Sequence, residues 1–224
     1  AFAQLSVSKT VDSAAVDQDG AAVTYGPFPT TVECEFNGET VYATDYSDAL
    51  RMQRDLADGD TWLLEGLPAG AVCTVTETDT KDAVDPSIVT VAGTASPVTT
   101  PAASAAVTLA ALPASNSAVI TNPYDVGSLS LAKALDGAGA TAWATARFTV
   151  RVDCTLTDGS GARSVWLEDY TFQVVDGTMT PASVTIENLA AGASCDVTEL
   201  ETGGANSTTV TIDSTETSGT SATA

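Results

Sequence analysis

Three groups that a β-sheet core rarely needs stand at inward positions of strand-like runs. In "LSVSKTV" (5–11), Leu5, Val7, Lys9 and Val11 share one face at period two. In "CTVTE" (73–77), Glu77 follows Cys73 and Val75 on one face, and in "AVITNPY" (118–124), Asn122 follows Ala118 and Ile120. An amine, a carboxyl and a carboxamide sent into an apolar interior each require a partner. Lys9 alone could sit near a strand end and carry its amine out to water. Lys9 and Glu77 could also form a buried ion pair capped by Asn122, an arrangement that adds specificity more surely than stability. The third outcome is a reaction. Apolar burial favours the neutral amine and the protonated acid. The neutral Lys9 amine is a nucleophile, and Glu77 can polarise the Asn122 carboxamide and move protons as ammonia leaves. The product is an amide joining the two side chains. Held proximity supplies most of the rate. Such a reaction occurs once, so it is self-crosslinking and not the turnover of an enzyme.

The rest of the composition removes most competing chemistry. The 224 residues carry a net charge of −21 and no histidine. Nucleic acid and anionic membrane surfaces would repel such a chain, so neither is expected as a partner. Without histidine, Ser-His-Asp and Cys-His sites are impossible within the chain, and the commonest metal ligand is missing. No cofactor and no metal site is expected. No run of about 18 apolar residues offers a membrane span. "AFAQ" at the start reads as the remnant of a small-residue cleavage site, and the chain as a mature fragment of a longer exported protein.

The elements that must position these groups occur twice. "LSVSKTVD" (5–12) returns as "LSLAKALD" (129–136), and "GLPAGAVCTVTETDT" (66–80) as "NLAAGASCDVTELET" (188–202). Lys9, Cys34, Cys73 and Glu77 match Lys133, Cys154, Cys195 and Glu199 at spacings of 124, 120, 122 and 122 residues. "NPYDVGS" (122–128), with Pro123 and Gly127, marks the boundary, giving repeats over 1–126 and 127–224 joined by a short link. Val, Thr, Ser and Gly are frequent and no long amphipathic helix is visible, so the class is all-β.

Strands are expected near 5–11, 30–37, 40–44, 60–65, 72–78, 87–92, 105–110 and 117–122. "FNGE" (36–39) reads as a hairpin turn. Residues 46–60 have mixed periodicity, compatible with a short helix or an irregular excursion. Residues 91–106, rich in Pro, Ala and Thr, read as a long surface loop or hairpin tip. In "ARFTVRVDCTL" (146–156), Phe148, Val150, Val152, Cys154 and Leu156 alternate. Two packed antiparallel sheets per repeat follow. Cys34 and Cys73 point inward on different strands, as do Cys154 and Cys195. With the pairing duplicated in both repeats and no C-x-x-C pair present, each pair is read as a disulfide of an oxidising, extracellular compartment rather than as two buried thiols. A disulfide closing about 40 residues contributes roughly 3–4 kcal/mol in the chain-entropy account.

A lysine on the first strand, a glutamate in "TVTET" and an asparagine ending the last strand resemble the collagen-adhesin B-type, prealbumin-like domains of Gram-positive surface proteins and pili. "GLPAGAVCTVTET" and "AVITNPY" resemble an immunoglobulin-like repeat of actinobacterial surface proteins. The resemblance spans the first repeat and most of the second. It implies two tandem Ig-like (prealbumin-like) β-sandwich domains in an extracellular, wall- or surface-associated stalk, adhesin or pilus. It also implies Lys–Asn isopeptide bonds assisted by the glutamate, with Lys9 as nucleophile, Glu77 as proton shuttle and Asn122 as acceptor. The expected partners are neighbouring domains of the same surface protein and, for an adhesin, a host or cell-surface ligand.

The second repeat departs from this pattern. Lys133 and Glu199 are present, but at the 122-residue spacing the counterpart of Asn122 falls beyond Ala224. Asn206, only seven residues after Glu199, stands too early to end a final strand. No crosslink is therefore expected at Lys133 within this chain, and its repeat is expected to lack a final strand, which a neighbouring chain or the last residues could replace. Weaker signals have ordinary readings. "DQDG" (17–20) is a turn rather than a calcium loop. Glu168 and Asp169 are surface acids rather than a glycosidase pair, and Trp62 and Trp166 are packing residues. "NST" (206–208) matches a glycosylation sequon, which weighs little in a bacterial protein. Two other functions compete with a stalk. One is a module that binds a glycan or host protein through the loops at 46–60 and 91–106. The other is an accessory domain of a secreted enzyme.

Overall fold

A computed structural model describes residues 1–136, 146–158, 161–205, 207–212, 215–218 and 221–223. The structure is all-β, and among the described residues there is no helix. The chain forms two compact units, one built chiefly from residues 1–13 and 24–124, the other chiefly from 14–23, 125–157 and 161–224.

The first unit has strands β1 (Phe2–Ser13), β2 (Phe28–Phe36), β3 (Glu39–Val41), β4 (Gln53–Leu56), β5 (Thr61–Pro68), β6 (Val72–Glu77), β7 (Ser87–Ala92), β8 (Val98–Thr100), β9 (Ser104–Thr108) and β10 (Asn116–Tyr124). One sheet has the order β5-β1-β10-β7-β8; the other has the order β3-β2-β6-β9, with β4 also on β2. The alternation is strict where it matters. Ala3, Leu5, Val7 and Lys9 of β1 are buried, as are Asn116, Ala118, Ile120, Asn122 and Tyr124 of β10. Between the sheets, Leu5, Val7, Leu64 and Ile120 of the first pack in one core with Val32, Val75 and Val107 of the second. This is the Ig-like sandwich. β1 and β10 run parallel, with Lys9 opposite Ile120 and Val11 opposite Asn122. Lys9 and Asn122 are thus diagonal neighbours on the inner face of one sheet, while Glu77 comes from the other.

The "FNGE" turn holds. Asn37 and Gly38 have φ of 55° and 82°, the paired left-handed conformation of a two-residue hairpin loop. Residues 46–60 contain no helix. A bridge between Ser47 and Leu50 leads into β4, which pairs with β2; Met52 just before it and Leu56 at its end are buried. The 91–106 stretch is more ordered than a loop, because Val98–Thr100 adds to β7 as an edge strand.

The second unit has β11 (Val126–Ala132), β12 (Arg147–Asp158), β13 (Gly161–Val175), β14 (Thr178–Thr180), β15 (Ser183–Ala190), β16 (Ser194–Glu201), β17 (Thr209–Ile212), β18 (Thr215–Ser218) and β19 (Ser221–Thr223). β14-β13-β12-β16-β19 form one sheet, and β11-β15 and β17-β18 form two-stranded ladders. β12 and β16 repeat β2 and β6. β19 pairs with β16 as β9 pairs with β6, and β17 stands 122 residues after β7, the spacing that separates the two glutamates. The lysine-bearing strand is shorter than its counterpart. β1 continues four residues past Lys9 to Ser13, whereas β11 stops at Ala132, one residue before Lys133. The physical reason is pairing. β10 lies along β1 through Ser13, while among the described residues β11 pairs with β15 alone.

Both disulfides are formed, Cys34–Cys73 and Cys154–Cys195. Each joins directly opposed residues of adjacent antiparallel strands, β2 with β6 and β12 with β16. They therefore fix the register of one sheet rather than tying two sheets together.

Candidate functional site

The first unit brings Lys9, Glu77 and Asn122 into one dry pocket. The backbone around Lys9 is fixed on both sides: its N–H donates to Asp60 O and its carbonyl accepts from Gly59 N–H, each at 3.0 Å. The Lys9 side chain does not snorkel. It is fully buried, and its Nζ stands 4.2 Å over the centre of the Phe28 ring and 3.0 Å from Glu77 Oε2. Neither the Lys9 nor the Glu77 side chain has any exposed surface. The amine and Oε2 are at ion-pair distance but off the line of a hydrogen bond, so among the described residues neither atom has a hydrogen-bond partner in the strict sense. The other Glu77 oxygen accepts a short hydrogen bond from Asn122 Nδ2. Asn122 Nδ2 also donates to Thr80 O at 3.3 Å, and its Oδ1 is buried without a partner among the described residues.

The surroundings explain the electrostatics. Burial pushes the Lys9 amine below its usual range, and the charge of Glu77 and its contact with the amine oppose that shift only in part. The Phe28 ring face offers the residual cation a weak electrostatic partner without water. Beyond Asn122, the Tyr124 hydroxyl donates to the same Thr80 carbonyl at 2.7 Å, and Tyr25 stacks on the Tyr124 ring at 3.9 Å between centroids. Burial raises the Tyr124 phenol far above its usual pKa, so it remains a neutral donor. The arrangement has the parts of an amide condensation: an amine with a lowered pKa, an acid touching both partners, and a carboxamide whose carbonyl oxygen is free to be polarised.

The second unit repeats two of the three groups. Lys133 Nζ is 2.8 Å from Glu199 Oε1 and 4.9 Å from the Phe148 ring centre. The Lys133 side chain retains 16% exposure, against none for Lys9. Both Glu199 oxygens are buried, and among the described residues Lys133 is the neighbour of Oε1 while Oε2 has no hydrogen-bond partner. Asn206 lies outside the described residues.

Phe28 and Phe148 are the site residues that reading the sequence missed. Their spacing of 120 residues equals that of Cys34 and Cys154, so extending the repeat alignment upstream would have found them. The Thr80 carbonyl is backbone and leaves no signal in the sequence. The discounted signals behave as ordinary structure. Asp17 Oδ1 accepts from Asp19 N and Ala21 N, each at 2.9 Å, which closes a turn. Asp169 pairs with Arg151, and Glu168 accepts from Tyr170. Trp62 is core and donates to Tyr46, while Trp166 is half-buried and donates to Tyr170. Among the described residues no group of three or more His, Cys, Asp or Glu could hold a metal ion.

Comparison with known proteins places the repeats in a family. The sequence pattern described as "Domain of unknown function (DUF5979)" matches residues 5–125 and again 129–224. The chain belongs to this family. The two DUF5979 matches leave only a few residues between them and together take in Lys9, Glu77, Asn122, Lys133, Glu199 and all four cysteines. No curated protein matches the chain. Among solved structures, a glutamate-to-alanine variant of the major pilin from Streptococcus pyogenes aligns over 99% of this chain and 93% of its own, at 15% identity and a TM-score of 0.52. The unmodified pilin aligns over 99% and 92% at 16% identity with a TM-score of 0.48. The pilus-presented adhesin Cpa aligns over 55% of this chain at 18% identity and a TM-score of 0.37, and the aligned part spans only 26% of the adhesin. At these identities the likeness is one of fold: the DUF5979 repeats share the Ig-like sandwich architecture of the pilin.

Proposed function

We propose that the chain is a structural module of a bacterial surface stalk or pilus, made of two tandem repeats over 1–126 and 127–224, whose first repeat ties itself shut by an amide between Lys9 and Asn122. The observation that carries this reading is the buried contact chain from the Lys9 amine through the Glu77 carboxyl to the Asn122 carboxamide. In the reaction, Lys9 Nζ attacks Asn122 Cγ. The Nζ–Cγ bond forms, the Cγ–Nδ2 bond breaks, and Nδ2 leaves as ammonia with a proton carried from Nζ by Glu77. The reactive state, neutral amine beside protonated acid, is a tautomer of the ion pair holding the same single proton. Its share of the pair is therefore set by the dryness of the pocket rather than by pH. The collagen-adhesin B-type resemblance, the pilin-like fold and the disulfides support an extracellular setting. The partners are then neighbouring domains or subunits of the same assembly.

Intact mass under denaturing, reducing conditions tests the bond directly. Wild type is expected about 17 Da below the mass of the sequence, the loss of one ammonia, and Glu77→Gln at its full sequence mass. Full sequence mass for wild type overturns the crosslink and leaves a buried ion pair. A second reading, ligand recognition through residues 46–60, draws on a depression of about 840 Å³ bordered by Tyr42, Asp48, Arg51 and Gln53. Binding on a glycan array that is lost in Arg51→Ala would favour it.

A further inference from the structure

In the first unit, β10 lies between β1 and β7. The second unit has counterparts of both neighbours, β11 and β17, and between them runs a groove of about 680 Å³. Leu129 and Leu131 of β11 and Thr209 and Thr211 of β17 form its walls, and Phe172 and Glu199 lie in its floor. Two features point to an occupant. Among the described residues, β11 pairs with β15 alone, so the backbone groups along its other edge have no ladder partner. Glu199 is only 6% exposed, and among the described residues Lys133 stands beside its Oε1 alone while its Oε2 is buried with no donor. In the first unit the matching carboxylate receives its donor from the strand that fills this place.

We propose that this groove is the docking site for one extended segment of β10 chemistry: small or aliphatic residues at alternate inward positions, followed by an asparagine, added parallel to β11 and antiparallel to β17. The register follows from the first unit. There Asn122 lies opposite Val11, two residues beyond the lysine, so the incoming asparagine lies beside Leu135 and presents its N–H₂ to Glu199. A carboxylate whose second oxygen has no donor selects a carboxamide and rejects an acid, and the charge of −21 on the chain disfavours an acidic segment further. Strand addition supplies affinity through the main chain, and the alternate side chains supply choice. A second copy is a poor donor, because its own β10 is already paired on both edges. The inference does not depend on the crosslink in the first unit.

The test uses the full chain and a fluorescent synthetic peptide of the Asn116–Tyr124 sequence. Anisotropy is expected to show saturable one-to-one binding, with amide hydrogen exchange slowed at 128–132 and 209–211. A peptide carrying Asn122→Ala is expected to bind about tenfold more weakly, the loss of one charge-assisted hydrogen bond. Absence of saturable binding overturns the proposal, as does equal affinity for the alanine peptide or protection confined to 5–11 and 87–92. Concentration-dependent dimers with 128–132 and 209–211 protected in the absence of peptide also overturn it, since the occupant is then a second copy. The peptide variant needs no change in the protein, so misfolding cannot mimic either result.

Discussion

The two lysine–glutamate pairs are nearly the same in distance, 3.0 Å and 2.8 Å, and differ in what surrounds them. In the first unit β10 covers the pair, supplies a carboxamide to the glutamate and leaves the lysine no route to water. In the second unit the lysine lies past the end of its strand and keeps some exposure, and among the described residues no carboxamide reaches the glutamate. The pair alone therefore does not assemble the proposed crosslinking site. The neighbouring strand completes it, by drying the amine and bringing the carboxamide.

The largest expected difference comes from removing each acid. Glu77→Ala leaves a buried ammonium without its counter-charge, which costs about 3–5 kcal/mol for a buried pair, and it also restores the ammonia mass. Glu199→Ala leaves a lysine that can reach water, and its effect on the thermal midpoint is expected to be several-fold smaller. Equal shifts in the two variants would break the comparison. Replacing both Cys154 and Cys195 by alanine is next, at about 2–4 kcal/mol for a loop of this length. Hydrogen exchange is expected to show the loss confined to the second unit.

Asn122→Ala follows, at about 1–3 kcal/mol for a buried carboxylate deprived of a donor, with full sequence mass and Lys9 left free to titrate. Burial holds the Lys9 pKa below its ordinary 10.5. Between the lowered value and 10.5 the unfolded chain binds more protons than the folded one, so the contribution of Lys9 to stability rises with pH across that window. Below it, the full cost of a dry ammonium remains. Denaturant midpoints of Asn122→Ala compared with the double variant Asn122→Ala, Lys9→Met are expected to move in favour of the lysine form as pH rises towards 10.5. A flat difference would show an amine in contact with water. Lys133→Arg is the smallest effect, within about 1 kcal/mol, because it keeps a cation beside the buried Glu199 and the side chain it replaces already reaches water.

Much of this was legible because a two-residue period states which side chains share a face. Lys9, Glu77 and Asn122 fell on inward faces from alternation alone, and so did the four cysteines. Repetition then showed that the lysine, the glutamate and the cysteines were placed by design of the fold rather than by accident of sequence. What alternation could not supply was which strands are neighbours. The parallel pairing of β1 with β10 joins the ends of a repeat and is set by the packing of the whole unit, not by any local motif. The short strands Gln53–Leu56 and Val98–Thr100 were missed because three or four residues carry too little periodicity, and each exists only by adding to a longer strand. Phe28 was missed because its role, a ring beneath an amine, depends on a tertiary approach.

The parallel run of β1 beside β10 has a mechanical meaning. The first unit opens with the start of β1 and its last strand finishes at the end of β10, so these two points lie at opposite ends of the same ladder. Traction applied between these two ends would slide the strands lengthwise, and all their rungs would resist at once rather than parting singly like a zip. A rivet from Lys9 to Asn122 would route the tension from the first strand directly into the last and leave the segment between them slack, so such a repeat would neither stretch nor unravel while its backbone remained whole.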